Sequence, residues 1–301
     1  RAAKRLSELT GLETATIHRL LKWDMHTNTF GMNSANPLST RLLVIDEFSM
    51  VDSVLFAKLL EASGHVNKIL LIGDDQQLPS VSPGNVLADM IKSHLVPVIE
   101  LNTIYRQEEG SGIVTLAHEL RNDDYDEAIF RQYDDIHFIS APNYEVVGEV
   151  LDIVKSYIDD GYEDKDIQVL SPKYQGVAGV DALNEALQSL LNPPSPLKDE
   201  LKVGARVLRV GDKILQLKNR PDDEVFNGDI GTLVEIIKKT PAHPSNTIVC
   251  DFDGVLVEYI DGDFGVITHA YCMTVHKSQG NEFPVVIMPV LSDFGIMNRK
   301  N

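Results

Sequence analysis

Leu42-Leu43-Val44-Ile45-Asp46-Glu47 and Ile69-Leu70-Leu71-Ile72-Gly73-Asp74 decide the fold class. In each, four apolar residues run without alternation into a polar, acid-bearing turn. Such runs suit parallel strands buried on both faces. Residues 96–101, 136–139, 167–170 and 285–288 continue the series, and helical patterns lie between them at 54–62, 113–120, 146–158 and 180–191. Strands alternating with helices predict an α/β chain with parallel sheets.

Residues 201–268 read differently. Pro193, Pro194 and Pro196 mark a break. Short strands are then predicted at 206–210, 213–217, 231–237, 247–252, 255–260 and 264–268, with turn signals Asn227-Gly228 and Asp253-Gly254. That pattern predicts a small antiparallel barrel inserted into the α/β body. Residues 22–38, with Trp23 and Phe30 as apolar points, form a second insert read as a small hairpin.

The chain has 301 residues, with 45 acidic against 27 basic side chains and a formal net charge of −18. Its 43% hydrophobic and 24% charged residues exclude a disordered or fibrous class. No apolar run approaches the roughly 20 residues that span a bilayer, and no leader pattern opens the sequence. Cys250 and Cys272 are too few for a disulfide framework, which points to a reducing, cytoplasmic setting. The acidic balance argues against a broad positive nucleic-acid coat but leaves room for a narrow groove.

Ligands of open α/β sheets bind at the carboxyl ends of the strands. Asp46 stands there and can hold a hydrated Mg²⁺, while Glu47 can orient an attacking water. Gly73-Asp74-Asp75-Gln76-Gln77-Leu78-Pro79 follows the next strand, and Gln77 can touch a γ-phosphate. Tyr105-Arg106-Gln107 offers a guanidinium for a transferring phosphoryl group. Residues 274–283 cluster hydroxyl, imidazole, ammonium and amide groups, which position phosphates. Each string also has a plain reading: a solvated strand end, a polar loop, a surface ion pair and a helix cap. His269, Cys272 and His276 lack zinc-type spacing, and Cys272 reads as a buried apolar filler.

Taken in order, these strings resemble the RecD-like superfamily 1 DNA helicases, of the kind acting without RecBC partners. Arg1 to Leu6 is similar to the end of the family's motif Ia, and Thr16-Ile17-His18-Arg19-Leu20-Leu21 to motif Ib. Asp46 to Asp52 resembles motif II, Gly73 to Leu87 motif III, and Tyr105-Arg106-Gln107 motif IV. Residues 171–184, Val225 to Gly231 and Thr274 to Phe283 resemble later segments.

The resemblance implies two RecA-like motor domains, at 1–99 and at 100–204 plus 268–301, with an SH3-like β-barrel inserted at 205–267. The hairpin at 22–38 becomes a wedge for duplex DNA. ATP and Mg²⁺ are the implied cofactors. Asp46 holds the metal, Glu47 activates water, Gln77 senses the γ-phosphate and Arg106 approaches it from the second domain. Gly280 and Glu282 lie near the nucleotide. Arg1, Thr16, His18, Pro79, Asn85, Thr274, His276 and Lys277 contact single-stranded DNA. The implied activity is 5′-to-3′ translocation and unwinding at duplex junctions, in repair and recombination, by a cytoplasmic monomer without membrane or RecBC partners.

No GxxxxGK[ST] phosphate loop occurs in the sequence, nor does the family's closing motif. The chain is therefore expected to be an internal section of a longer helicase, inactive alone. A strand-gripping module without ATPase activity, and a structural α/β protein whose motifs coincide by chance, remain the other readings.

Overall fold

Thr16 caps a four-residue helix, α1 (Ile17–Leu20), which leads into an antiparallel hairpin of β1 (Trp23–Asp24) and β2 (Thr29–Phe30). These coordinates are a computed structural model that describes residues 6–7, 9–24, 27–101, 111–122, 126 and 128–291. The first apolar run becomes β3 (Leu42–Ile45), followed by helix α2 (Ser53–Ala62). Asp52 starts that helix: its carboxylate accepts the Val54 and Leu55 N–H groups at 2.8 Å each, satisfying donors that a helix leaves unpaired. The second run becomes β4 (Lys68–Leu71), parallel to β3 with Leu42 opposite Lys68 and Ile45 opposite Leu71. Helix α3 (Val86–Ser93) follows, then α4 (Gly112–Asn122) and α5 (Ile129–Gln132).

Contact compactness divides the described residues into two units, one up to Ile139 and one from Ser140 onward. The core of the first unit gathers Leu43, Ile45, Phe48, Leu59, Ala62 and Leu87. Burial on both faces of β3, expected from its unbroken apolar run, is not found among the described residues. Leu43 and Ile45 point into the core, while Leu42 and Val44 remain 52% and 43% exposed. The runs at 96–101 and 136–139 do not form strands either. Pro97 removes a ladder donor from the first, and an apolar run becomes a strand only where a partner edge accepts it.

In the second unit, helix α6 (Val146–Asp159) precedes β5 (Ile167–Ser171), which is buried at all five residues and pairs in parallel on both sides. Helix α7 (Val180–Leu191) follows, with Val180, Leu183 and Leu187 against the sheet core of Val169, Tyr271 and Cys272. The insert starts with an antiparallel hairpin, β6 (Glu200–Val203) and β7 (Arg206–Arg209). It continues with β8 (Lys213–Gln216), β9 (Ile230–Ile237), β10 (Thr247–Phe252), β11 (Val255–Ile260) and β12 (Ile267–His269). These form a five-stranded antiparallel sheet in the order β11-β10-β9-β8-β12 around Leu208, Ile214, Leu233, Ile248, Tyr259 and Ile267. Phe264 to Val266, read from sequence as strand, is a 3₁₀ turn that buries Phe264. The chain then returns to the parallel sheet as β13 (Cys272–Thr274), helix α8 (Val275–Ser278) and β14 (Val285–Ile287), in the order β13-β5-β14.

One carboxylate ties insert to sheet. Asp212 is fully buried and accepts the Arg209 N–H at 2.7 Å, Gln188 Nε2 at 2.7 Å, Asn192 Nδ2 at 2.8 Å, and Tyr271 O–H at 3.1 Å. His269 Nε2 lies 3.0 Å away. Burial alone raises a carboxyl pKa, but His269, Asn192 and the Arg209 N–H outweigh it and hold Asp212 below the usual range. The insert is thus fixed to α7, β12 and β13 through one ionised group. No helix of the described residues is long and apolar enough to cross a membrane.

Candidate functional site

The parallel register of β3 and β4 puts Asp46-Glu47 and Gly73–Gln77 at adjacent carboxyl ends. Ile72 N–H donates to Ile45 O at 2.8 Å and Phe48 N–H to Ile72 O at 2.8 Å, so the two exit loops are laced together. Two glycines permit this. A Cβ on Gly73 meets the Phe48 and Ser49 nitrogens at 3.1 Å and Leu87 Cδ2 at 3.0 Å. Gly84, at φ +112°, abuts Ser53, whose hydroxyl donates to Pro83 O at 2.8 Å.

Glu47 takes a left-handed conformation, φ 52° and ψ 40°, and its N–H donates to Asp46 Oδ1 at 2.9 Å. Partial burial raises its pKa, and the charges of Asp46 and Asp74 raise it further. A carboxylate crowded by two others suits a base that takes a proton from water. The same crowding favours a cation. Among the described residues no group of three or more His, Cys, Asp or Glu side chains is arranged to hold a metal ion. Mg²⁺ needs less, because it keeps waters and uses one or two carboxylates with substrate phosphates; the hard oxygens of Asp46 fit that demand. Gln77 is exposed, and its N–H closes a turn onto Asp74 O at 3.2 Å. Pro79 is half-buried behind the buried Leu78, and Asn85 precedes α3 without capping it through its side chain.

Two short turns carry the predicted strand contacts. In the first unit, Thr16 Oγ1 accepts the Arg19 N–H at 3.3 Å. His18 lies against Trp23 and Phe30, with ring centroids 6.1 and 6.0 Å away, and those two rings are 4.6 Å apart. Burial lowers the His18 pKa, and the charge of Asp52 opposes the shift. In the second unit, Thr274 Oγ1 accepts the Lys277 N–H at 3.3 Å. His276 is exposed, and burial alone lowers the Lys277 pKa. Gly280, at φ +76°, ends this segment, and Glu282 is exposed beyond it.

Within the first unit the structure therefore brings Asp46, Glu47 and the Gly73–Gln77 loop together, and within the second it groups Thr274, His276 and Lys277. Arg1 and Arg106 lie outside the described residues. Sequence reading missed Asp74, which acts on Glu47 although it stands in the quoted loop, and the ring contacts of His18. It also missed Arg206, whose surroundings no local pattern signals.

Three family models match successive stretches of the chain: an AAA domain at residues 1–141, the SH3 domain of ATP-dependent RecD-like DNA helicases at 183–252, and the C-terminal domain of UvrD-like helicases at 269–301. The chain is similar to an ATP-dependent RecD2 DNA helicase of Deinococcus radiodurans, 32% identical over 97% of this chain and 39% of the relative. It is also similar to the RecD subunit of the RecBCD enzyme of Mycolicibacterium smegmatis, 30% identical over 91% of this chain and 49% of the relative. The chain thus spans less than half the length of these two relatives. Among solved structures, it resembles a Bacteroides Pif1 bound to single-stranded DNA, at 16% identity over 95% of this chain and 78% of that one, with a TM-score of 0.52. A Bacteroides Pif1 helicase in complex with ADP-AlF3 and single-stranded DNA gives 19% identity, 95% and 74% coverage and a TM-score of 0.53. The α/β helicase fold with an SH3-like element, expected from sequence, is the fold of this chain.

Proposed function

We propose, because the chain belongs to the RecD-like helicases, that it is the motor body of an enzyme that hydrolyses ATP to move 5′-to-3′ along single-stranded DNA and to open duplex junctions. The observation that carries this reading is the lacing of the β3 and β4 exits, which sets Glu47 beside Asp46 and Asp74 with a raised pKa. Glu47 takes the proton of the attacking water. Asp46 holds Mg²⁺, which when bound neutralises phosphate charge and orients the chain of phosphates. Gln77 reads the γ-phosphate, and Arg106 stabilises charge on it. Gly280 and Glu282 serve the nucleotide.

Arg1, Thr16, His18, Pro79, Asn85, Thr274, His276 and Lys277 hold the strand, and the β1–β2 hairpin is the wedge. The motor domains correspond to 1–99 and to 100–204 with 268–301, and the insert to 205–267. The enzyme works as a cytoplasmic monomer in repair and recombination, without RecBC. The 301-residue section, which has no GxxxxGK[ST] sequence, binds ATP poorly by itself. Glu47→Gln in a protein that includes the phosphate loop is expected to lower DNA-stimulated ATP turnover about 10²–10⁴-fold while ATP binding, followed by a fluorescent nucleotide, persists. Turnover that survives the change overturns the role of Glu47. Binding of DNA without turnover even in the unsubstituted protein would favour a strand-gripping module instead.

A further inference from the structure

A cavity of about 260 Å³ lies inside the second unit, between the inserted sheet and the parallel sheet. Arg206 and His269 wall it from the insert, and Asp181, Tyr174, Thr274 and Lys277 from the other side. The walls are held in place. His269 is bound to the buried Asp212, and the Arg206 guanidinium donates from Nη1 to Ile267 O at 3.0 Å. Thr274 is fixed by the parallel ladder opposite Ser171.

The charges in this cavity do not cancel. Arg206 and Lys277 contribute two cations. Asp181 is the one carboxylate among its lining residues, and its charge acts on Arg206. The Lys277 ammonium is half-buried, and no hydrogen bond or ion pair occupies it. Thr274 Oγ1 already accepts the Lys277 N–H, so its own O–H is left to donate. A desolvated cation without a partner is costly, and a charge-assisted hydrogen bond to an anion relieves the cost.

We propose that this cavity is a phosphate subsite for a phosphodiester of the bound strand, with Arg206 of the insert and Lys277 of the motor core as its two cations. It rests on the strand-binding reading above and adds to it a cation from the inserted sheet. The insert is then a strand-gripping element and not only a packed appendage. Phosphate oxygens of a free nucleotide offer the same chemistry, so the test must separate the two sources.

The experiment follows binding of fluorescein-labelled oligo(dT) to the 301-residue chain by anisotropy at several salt concentrations. For single strands, each phosphate contact contributes about −0.7 to the slope of log K against log salt. Lys277→Gln and Arg206→Gln are each expected to flatten that slope by about 0.7, Arg206→Lys to restore it, and Lys58→Gln, on the first unit, to leave it unchanged. Circular dichroism confirms that each variant folds, and if Arg206→Gln does not, Lys277→Gln carries the test alone. Slopes unchanged in a folded Lys277→Gln overturn the proposal while leaving strand binding intact. Loss of ADP or pyrophosphate binding with an unchanged slope assigns the site to a free nucleotide and also overturns it. An unsubstituted chain that binds no oligo(dT) overturns the strand reading itself.

Discussion

Thr16-Ile17-His18-Arg19 and Thr274-Val275-His276-Lys277 are one local motif placed in two different surroundings. In both, a threonine caps a four-residue helix by accepting the N–H three residues on, at 3.3 Å in each case. There the likeness stops. In the first unit the histidine is the shielded group, set against Trp23 and Phe30, and Arg19 is exposed. In the second unit the histidine is exposed, and the cation after it is half-buried at a cavity. The first turn rests on a hairpin of two-residue strands. The second continues directly from β13, whose neighbour Tyr271 is anchored on Asp212. Local sequence sets the backbone of such a turn, and the packing behind it selects which side chain is left unsatisfied for a ligand.

The largest expected effect tests the anchoring. Asp212→Ala strands five buried polar groups and is expected to destabilise the second unit by about 3–5 kcal/mol. Asp52→Ala, which removes the cap of α2 and the charge near His18, is expected to cost about 1 kcal/mol. Urea unfolding of each variant measures both, and equal losses would erase the distinction between an anchored and a lightly supported turn.

A smaller effect tests the likeness. Thr16→Val and Thr274→Val each remove one cap and are each expected to cost about 1 kcal/mol in the same measurement. A markedly larger loss at Thr274 would mean that its hydroxyl serves the buried sheet as well. The smallest effect concerns His18 alone. Trp23→Ala uncovers the imidazole, so its pKa, now lowered by burial, is expected to rise toward its ordinary value. An NMR titration of the ring protons reads this, and a pKa that stays low would assign the shift to something other than the rings.

Much of the parallel core was legible because long-range partners were announced by local pattern. The runs at 42–45, 69–72 and 167–170 became β3, β4 and β5, and the helices at 54–62 and 180–191 formed almost as read. Residues 96–101 have the same apolar character with Pro97 among them, and they stayed out of any ladder. The strands β6 and β13 escaped notice because Glu200–Val203 and Cys272–Thr274 are too short to show a period. Asp46, Glu47 and Gln77 were legible as a chemical set, since acids and amides after buried strands have few structural uses. The effect of Asp74 on Glu47 was not, because it depends on how two loops cross.

By itself the sequence determined the class of the fold, the order of its elements and the residue types offered at strand ends, because these follow from nearest-neighbour propensities and apolar periodicity. Only the tertiary structure decided which of those residues meet. It set Glu47 between two other acids, shielded His18 with the hairpin, and left Lys277 without a counter-charge beside Arg206. Charge, burial and hydrogen-bond partners are properties of a place in the fold, and residues as far apart in the chain as Arg206 and Lys277 acquire a common place only once the insert has packed.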